Sequence, residues 1–231
     1  MRVSKKVKED EEKENHLKSL GDILIDAILD DDPYSNFTNN ILDPNQIFKS
    51  NYKLPKILQH SPPLICVCCF FGSVNCFRAL IDQGANPLLK DEYEYTIAHF
   101  AAFSGNLDIT RDLFKLGIDF HVPTTKLFQY IPFIPPNCLF YPQHIAAING
   151  MQDFIKWLYV KGTPIEKNIL IFASSYGNIT TVKFLFETLN FFKEKDNQEN
   201  NEIVQYSINS AAANGQNEVV SYLIKEFPQI N

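Results

Sequence analysis

Glycine is scarce in this chain, at nine of 231 residues. Several other things are missing, and each absence excludes something. No apolar run reaches the ~18 to 20 residues that a membrane-spanning helix needs. Basic residues are not in excess: 21 Lys and Arg face 27 Asp and Glu, a formal charge of −6. The chain therefore lacks the positive surplus on which non-specific nucleic-acid binding draws. The first fifteen residues, MRVSKKVKEDEEKEN, are charged throughout, so no secretory signal is expected. Five cysteines, four of them crowded between Cys66 and Cys76, make a poor disulfide framework. A reduced, cytoplasmic protein is expected, with the nucleus also compatible. Hydrophobic residues are 45% and aromatic ones 13%, enough for a real core and against wholesale disorder.

The few glycines fall on a pattern. Gly72 and Gly84, Gly105 and Gly117, and Gly150 and Gly162 are each twelve apart, and the first two pairs are offset by 33. A fixed period of this size marks a solenoid. A nine-residue stretch precedes each of five glycines, ending at Gly72, Gly105, Gly150, Gly177 and Gly215. Apolar residues then recur at +4, +5, +8 and +9, as in Cys76, Phe77, Leu80 and Ile81 or Phe154, Ile155, Leu158 and Tyr159. That spacing draws one apolar stripe along a helix.

Thr96, His99, Ala101, Ala102 and Gly105 resemble the ankyrin pattern T-P-L-H-x-A-A-x-x-G, as do Pro142, His144, Ala146, Ala147 and Gly150. The resemblance covers residues 60–227 as five divergent ankyrin repeats, at about 60–90, 91–121, 136–163, 164–189 and 203–227. It implies an all-α ankyrin-repeat solenoid of stacked helix-turn-helix units with short hairpin-like loops. In such a unit Gly72, Gly105, Gly150, Gly177 and Gly215 end the first helix, and Gly84, Gly117 and Gly162 end the second, in left-handed conformations. Paired small residues sit where helices approach closely, at Cys68/Cys69, Ala101/Ala102, Ala146/Ala147, Ala173/Ser174 and Ala211/Ala212. On this reading the cysteine cluster is packing. A metal site from Cys66, Cys68, Cys69 and Cys76 is the alternative, but zinc ligands usually converge from loops. The resemblance gives His99 and His144 a structural role, bonding the neighbouring hairpin backbone. His16, His60 and His121 recur at no repeat position and are assigned no role.

Departures from the period mark two inserts. One lies at about 122–135, within a Pro- and aromatic-rich stretch holding Pro123, Pro132, Pro135, Pro136, Phe128, Tyr130 and Phe133. Proline excludes a continuous helix there. The insert either forms a binding face or folds its aromatics back onto the stack. The other, at about 190–202, is polar and expected to be a mobile surface loop. Residues 16–59 are expected to form an N-terminal helical cap: a stripe of Leu17, Leu20, Leu24, Ala27 and Ile28, then a short helix begun by Asp43 and Pro44. Residues 1–15 read as a charged tail.

The function that follows is a non-catalytic protein-interaction module binding through its concave face. The variable contact positions of the family fall on Phe70, Phe71, Phe103, Ile148 and Tyr176, with Glu92, Tyr93, Tyr95 and Phe140 placed outward on hairpin tips. Phe70, Phe71, Tyr93, Tyr95 and Phe103 are expected to neighbour one another, an aromatic group of the kind that anchors interfaces. Glu92 and Glu94 favour a basic protein partner. The protein is expected to be a monomer with no cofactor, metal, nucleic acid or membrane insertion. The alternative is an enzyme or enzyme-regulatory subunit with a site in the 121–141 insert, which would involve Cys138 or His121. No phosphate loop, nucleophile elbow or metal-ligand spacing supports it.

Overall fold

The computed structural model describes residues 20–49, 54–126 and 131–230. The charged tail at 1–15, Leu17, and Phe128 and Tyr130 of the insert lie outside them. Among the described residues the regular elements are helical, with two isolated backbone bridges in place of strands.

The helix α1 (Leu20–Leu29) comes first and is followed by a π-helical turn, Pro33–Phe37. Five helical pairs follow. They are α2 (Leu64–Phe71) with α3 (Val74–Asp82), α4 (Ile97–Ser104) with α5 (Leu107–Lys115), and α6 (Pro142–Ile148) with α7 (Gln152–Val160). The fourth is α8 (Ile169–Ser175) with α9 (Ile179–Lys183), which runs into a π-helical turn, and the last is α10 (Gln198–Ala213) with α11 (Asn217–Glu226). The inner helices α2, α4, α6, α8 and α10 pack in series, each on the next.

The small-residue pairs lie in those seams. Cys68, Cys69, Ala101, Ala102, Ala146, Ala147, Ala173 and Ser174 are fully buried. Ala211 is buried too, while Ala212 faces solvent, since α10 is the last inner helix. All eight repeat glycines have positive φ. Gly105 shows why glycine is needed. It caps α4 at φ +64°, and a Cβ there would meet the Met151 sulfur of the next repeat at 2.8 Å.

Asparagines tie the second, fourth and fifth repeats each to the one before. Asn106 Nδ2 donates to Gly72 O (3.1 Å), Asn178 Nδ2 to Ala147 O and Ile148 O (2.6 and 2.9 Å), and Asn214 Nδ2 to Ser175 O (3.0 Å). The acceptors are carbonyls at inner-helix C-termini, which have no partner within their own helix.

His99 and His144 are fully buried, and their protonation is set by their partners. Nδ1 of His99 accepts from the Thr96 backbone N–H (3.2 Å), and Nδ1 of His144 from that of Tyr141 (3.1 Å). This is the reciprocal half of a capping box, with His in the usual Glu or Gln place. Each Nε2–H is then free to donate across the seam, His99 to Phe140 O (3.4 Å) and His144 to Asn168 Oδ1 (2.9 Å). Only the first reaches backbone. Burial pushes both imidazoles down to about 3, so they stay neutral.

At the N-terminal end α1 docks on the first repeat. Asp31 Oδ1 accepts from the N–H groups of Asn75 and Cys76 (2.8 and 3.0 Å), capping α3 from another element. Asp43 and Pro44 start a turn and no helix: Asp43 Oδ1 accepts from Asn45 N–H at 2.8 Å and the chain then straightens. The polar stretch near 190–202 is not a loose loop throughout. Residues 198–202 form the first turns of α10, begun by the Asn197 side chain accepting from Asn200 N–H (3.0 Å). Phe192 is buried, stacked on Phe186 at 4.9 Å, and Lys195 Nζ sits 4.1 Å from the Phe227 ring centroid. These scattered apolar and cation–π contacts outweigh the polar composition of the stretch.

Candidate interaction surface

The expected contact residues divide into two groups. Phe70 and Phe71 end α2, and Phe103 lies near the end of α4 in the next repeat. The rings of Phe70 and Phe71 are 4.8 Å apart, edge to face, and those of Phe70 and Phe103 are 4.6 Å apart. All three remain partly exposed. Tyr176, near the end of α8, is also partly exposed.

Tyr95, Phe140 and Ile148 are not surface residues, against expectation. Tyr95 is fully buried; its ring meets His99, Phe100 and Phe140, and its hydroxyl donates to Lys126 O at 2.5 Å. Phe140 is buried against Tyr95, His144 and Phe172. Ile148 is buried with the whole of α6. The hairpin tip explains Tyr95. Asp91 Oδ1 accepts from both Tyr93 N–H and Tyr95 N–H (2.9 and 2.8 Å), and Glu94 takes a left-handed φ of 62°. The chain turns tightly there and sends Tyr95 inward. Burial raises the Asp91 carboxyl to about 6.

Tyr93 has both a ring and a cation beside it. His60 packs on it at a tilt of 32° with centroids 3.6 Å apart, and Lys126 Nζ lies 5.2 Å from its centroid. His60 thus has a place that nothing in its spacing could have signalled. Glu92 and Glu94 are exposed, and Lys126 Nζ donates to the Glu92 backbone carbonyl (3.1 Å).

The residues of the enzyme alternative are held apart in role. Cys138 Sγ accepts from Asn168 Nδ2 at 3.2 Å, and burial raises its thiol above the usual value. His121 stacks on Tyr141 (4.5 Å) and sets Nε2 3.3 Å from Glu166 Oε1. A thiol so held is not an activated nucleophile. Cys66, Cys68, Cys69 and Cys76 are free and buried, with pKa values raised by burial. No group of three or more His, Cys, Asp or Glu among the described residues is arranged to hold a metal ion.

A family model described as ankyrin repeats (3 copies) matches residues 27–124 and 143–231, most of the chain. The chain belongs to the ankyrin-repeat family. A solved structure titled as the human ASB11 ankyrin repeat domain is similar in fold, with a TM-score of 0.60 and 18% sequence identity. The match covers 88% of this chain and 82% of that one. Ankyrin repeats generally mediate protein–protein interaction, and the ankyrin fold is typically a non-catalytic interaction module. The unmatched stretch, 125–142, lies almost wholly in the Pro-rich insert, where the ankyrin chain departs most from its period. Among the described residues no helix is long and apolar enough to cross a membrane.

Proposed function

We propose that this ankyrin-repeat protein is a non-catalytic binding module that holds a protein partner on the concave surface of its first two repeats. The observation that carries this reading is the Phe70–Phe71–Phe103 cluster. Three phenyl rings, with Phe71 and Phe103 each packed on Phe70, are left partly exposed across a repeat seam. Clustered aromatic side chains at the centre of a patch supply most of the affinity in many interfaces. Exposed Glu92 and Glu94 on the neighbouring tip favour a partner with basic residues beside its apolar anchor.

A photo-crosslinking residue at position 103, in living cells, tests this. A discrete partner band is expected at 103 and not at Tyr159 on the outer helix α7, and it should vanish in Phe70→Ser. The isolated variant should melt within about 3 °C of the parent, as expected for a residue outside the sealed core. A band that persists in Phe70→Ser, or a collapse of the melting temperature, would show that these rings are packing and not an interface.

A further inference from the structure

Residues 131–140 form a strap between the second and third repeats. Its far end is fastened by a pair of backbone bonds, Thr124 N–H to Phe140 O (2.9 Å) and Phe140 N–H to Thr124 O (2.8 Å). Its near part is tied elsewhere. The Pro132 carbonyl accepts from Ser210 Oγ at 2.8 Å, and Ser210 belongs to α10 of the fifth repeat. The strap therefore reaches past the third and fourth repeats.

Burial shows what it does there. The inner helices α2 and α4 leave Phe70, Phe71, Phe103 and Ser104 partly exposed. By contrast every residue of α6 and of α8 is buried. A seven-residue helix points side chains in all directions. Its outer helix and two neighbouring repeats cover three sides, and the strap closes part of the fourth: Phe140 packs on His144 of α6 and Phe172 of α8, and Ile131 is only 5% exposed.

The contact to Ser210 is part of a directed relay. Ser210 has a single hydroxyl proton, and it goes to Pro132 O. In the 2.6 Å contact between Ser175 Oγ and Ser210 Oγ, Ser175 is thus the donor. Ser175 Oγ in turn accepts from Asn214 Nδ2 at 3.1 Å. The chain Asn214 to Ser175 to Ser210 ends in a buried donor aimed at a carbonyl. Leaving that donor empty would be costly. The strap fills it with a segment ill suited to be core. Phe133 and Asn137 take left-handed φ values of 56° and 62°. The Phe133 and Leu139 side chains are 52% and 40% exposed.

We propose that the strap is a ligand in cis. Residues 131–136, which turn at Pro132 and Phe133, lie at the seam of α8 and α10 as a segment of a partner would. The partner of that seam is a short, turn-forming, apolar and proline-containing peptide, which displaces the strap and presents its own carbonyl to Ser210. Proline fits because helices offer no free backbone edge, so a segment with few N–H groups leaves few donors stranded. The proposal rests on the concave face being a partner surface, but on its C-terminal half and not on the phenylalanine cluster.

The test uses the full chain with residues 131–136 replaced by Gly-Ser-Gly-Ser-Gly-Ser. The probe is a fluorescein-labelled peptide of the strap's own residues 131–137, read by fluorescence polarisation. The linker variant should bind it at least ~10-fold more tightly than the parent, whose seam is already filled. Adding Ser210→Ala should weaken binding about 3- to 10-fold, the usual value of one hydrogen bond. A scrambled peptide should not bind, and Phe103→Ser should leave binding unchanged. Equal binding by the parent, or none by a folded linker variant, overturns the proposal. So does loss of the helical circular-dichroism signal in the linker variant, because a strap required for folding is core. The milder Ile131→Ser variant gives an independent reading, with peptide affinity expected to rise several-fold while the fold is kept.

Discussion

The two buried histidines make the stability of this protein depend on pH in a calculable way. Their folded pKa values are pushed down to about 3 from an ordinary 6.5. As pH falls below 6.5 the unfolded chain takes up protons that the folded chain refuses, so stability falls. Between pH 7 and pH 5 each histidine costs roughly 2 kcal/mol by that linkage. Asp91 works in the opposite sense. Its folded pKa is raised to about 6 from 3.8, so the folded chain binds its proton first and gains roughly 1 kcal/mol over the same range. The net expectation is a loss of a few kcal/mol from pH 7 to pH 5. The double variant His99→Gln, His144→Gln isolates the cause. Glutamine can still accept from the backbone N–H at the helix start, as capping boxes allow, but does not titrate. Loss of the two cross-seam bonds should cost about 1 kcal/mol each at pH 7. The downward slope should then flatten or turn into a small rise toward pH 5 from Asp91. Urea denaturation followed by circular dichroism at pH 7, 6 and 5 measures this. A parent protein equally stable across that range, or a double variant that keeps the parent's slope, would refute the reasoning.

Gly84→Ala and Gly105→Ala should separate backbone strain from crowding. Both glycines have positive φ, but a Cβ at Gly84 meets nothing within 4 Å, whereas one at Gly105 meets Met151. About 1 kcal/mol is expected for Gly84→Ala and roughly twice that for Gly105→Ala, by denaturant titration. A maleimide reagent on the native protein should add to one thiol, Cys138, since the other four are buried with raised pKa values. Intact mass should show five adducts only in denaturant. Cys69→Leu should destabilise by about 1 to 3 kcal/mol through overpacking in the seam of α2 and α4, read as a lower urea midpoint. Arg78→Ala, which removes the half-exposed partner of Asp112 at 2.8 Å, should cost under about 1 kcal/mol in the same assay.

The repeat was legible in the sequence because its signals are local. A glycine that must take positive φ, a small pair at a seam and a stripe at helical spacing each follow from a few neighbouring residues. The same holds for His99 and His144, although the sequence could not show that His144 reaches the Asn168 side chain. Of the expected contact residues, Phe70, Phe71, Phe103 and Tyr93 keep exposed surface. Tyr95 does not, because the Asp91 turn reverses it, and two N–H bonds to the Asp91 side chain decide that. Phe140 and Ile148 were misplaced for a different reason. Phe140 packs on Tyr95 of the preceding repeat and on His144 and Phe172 of the following helices, and Ile148 is enclosed with the whole of α6, so tertiary packing and no local signal decides both.

The sequence by itself determined the scaffold: five helical pairs, their ends and their seams, through local conformational preference and the need to bury one stripe per helix. Tertiary structure alone decided which part of the concave face is open. A seam counts as surface or core according to what lies across it. In this chain the covering segment comes from an insert whose proline and apolar content permitted either outcome, until the donor at Ser210 gave its carbonyl a place to bind.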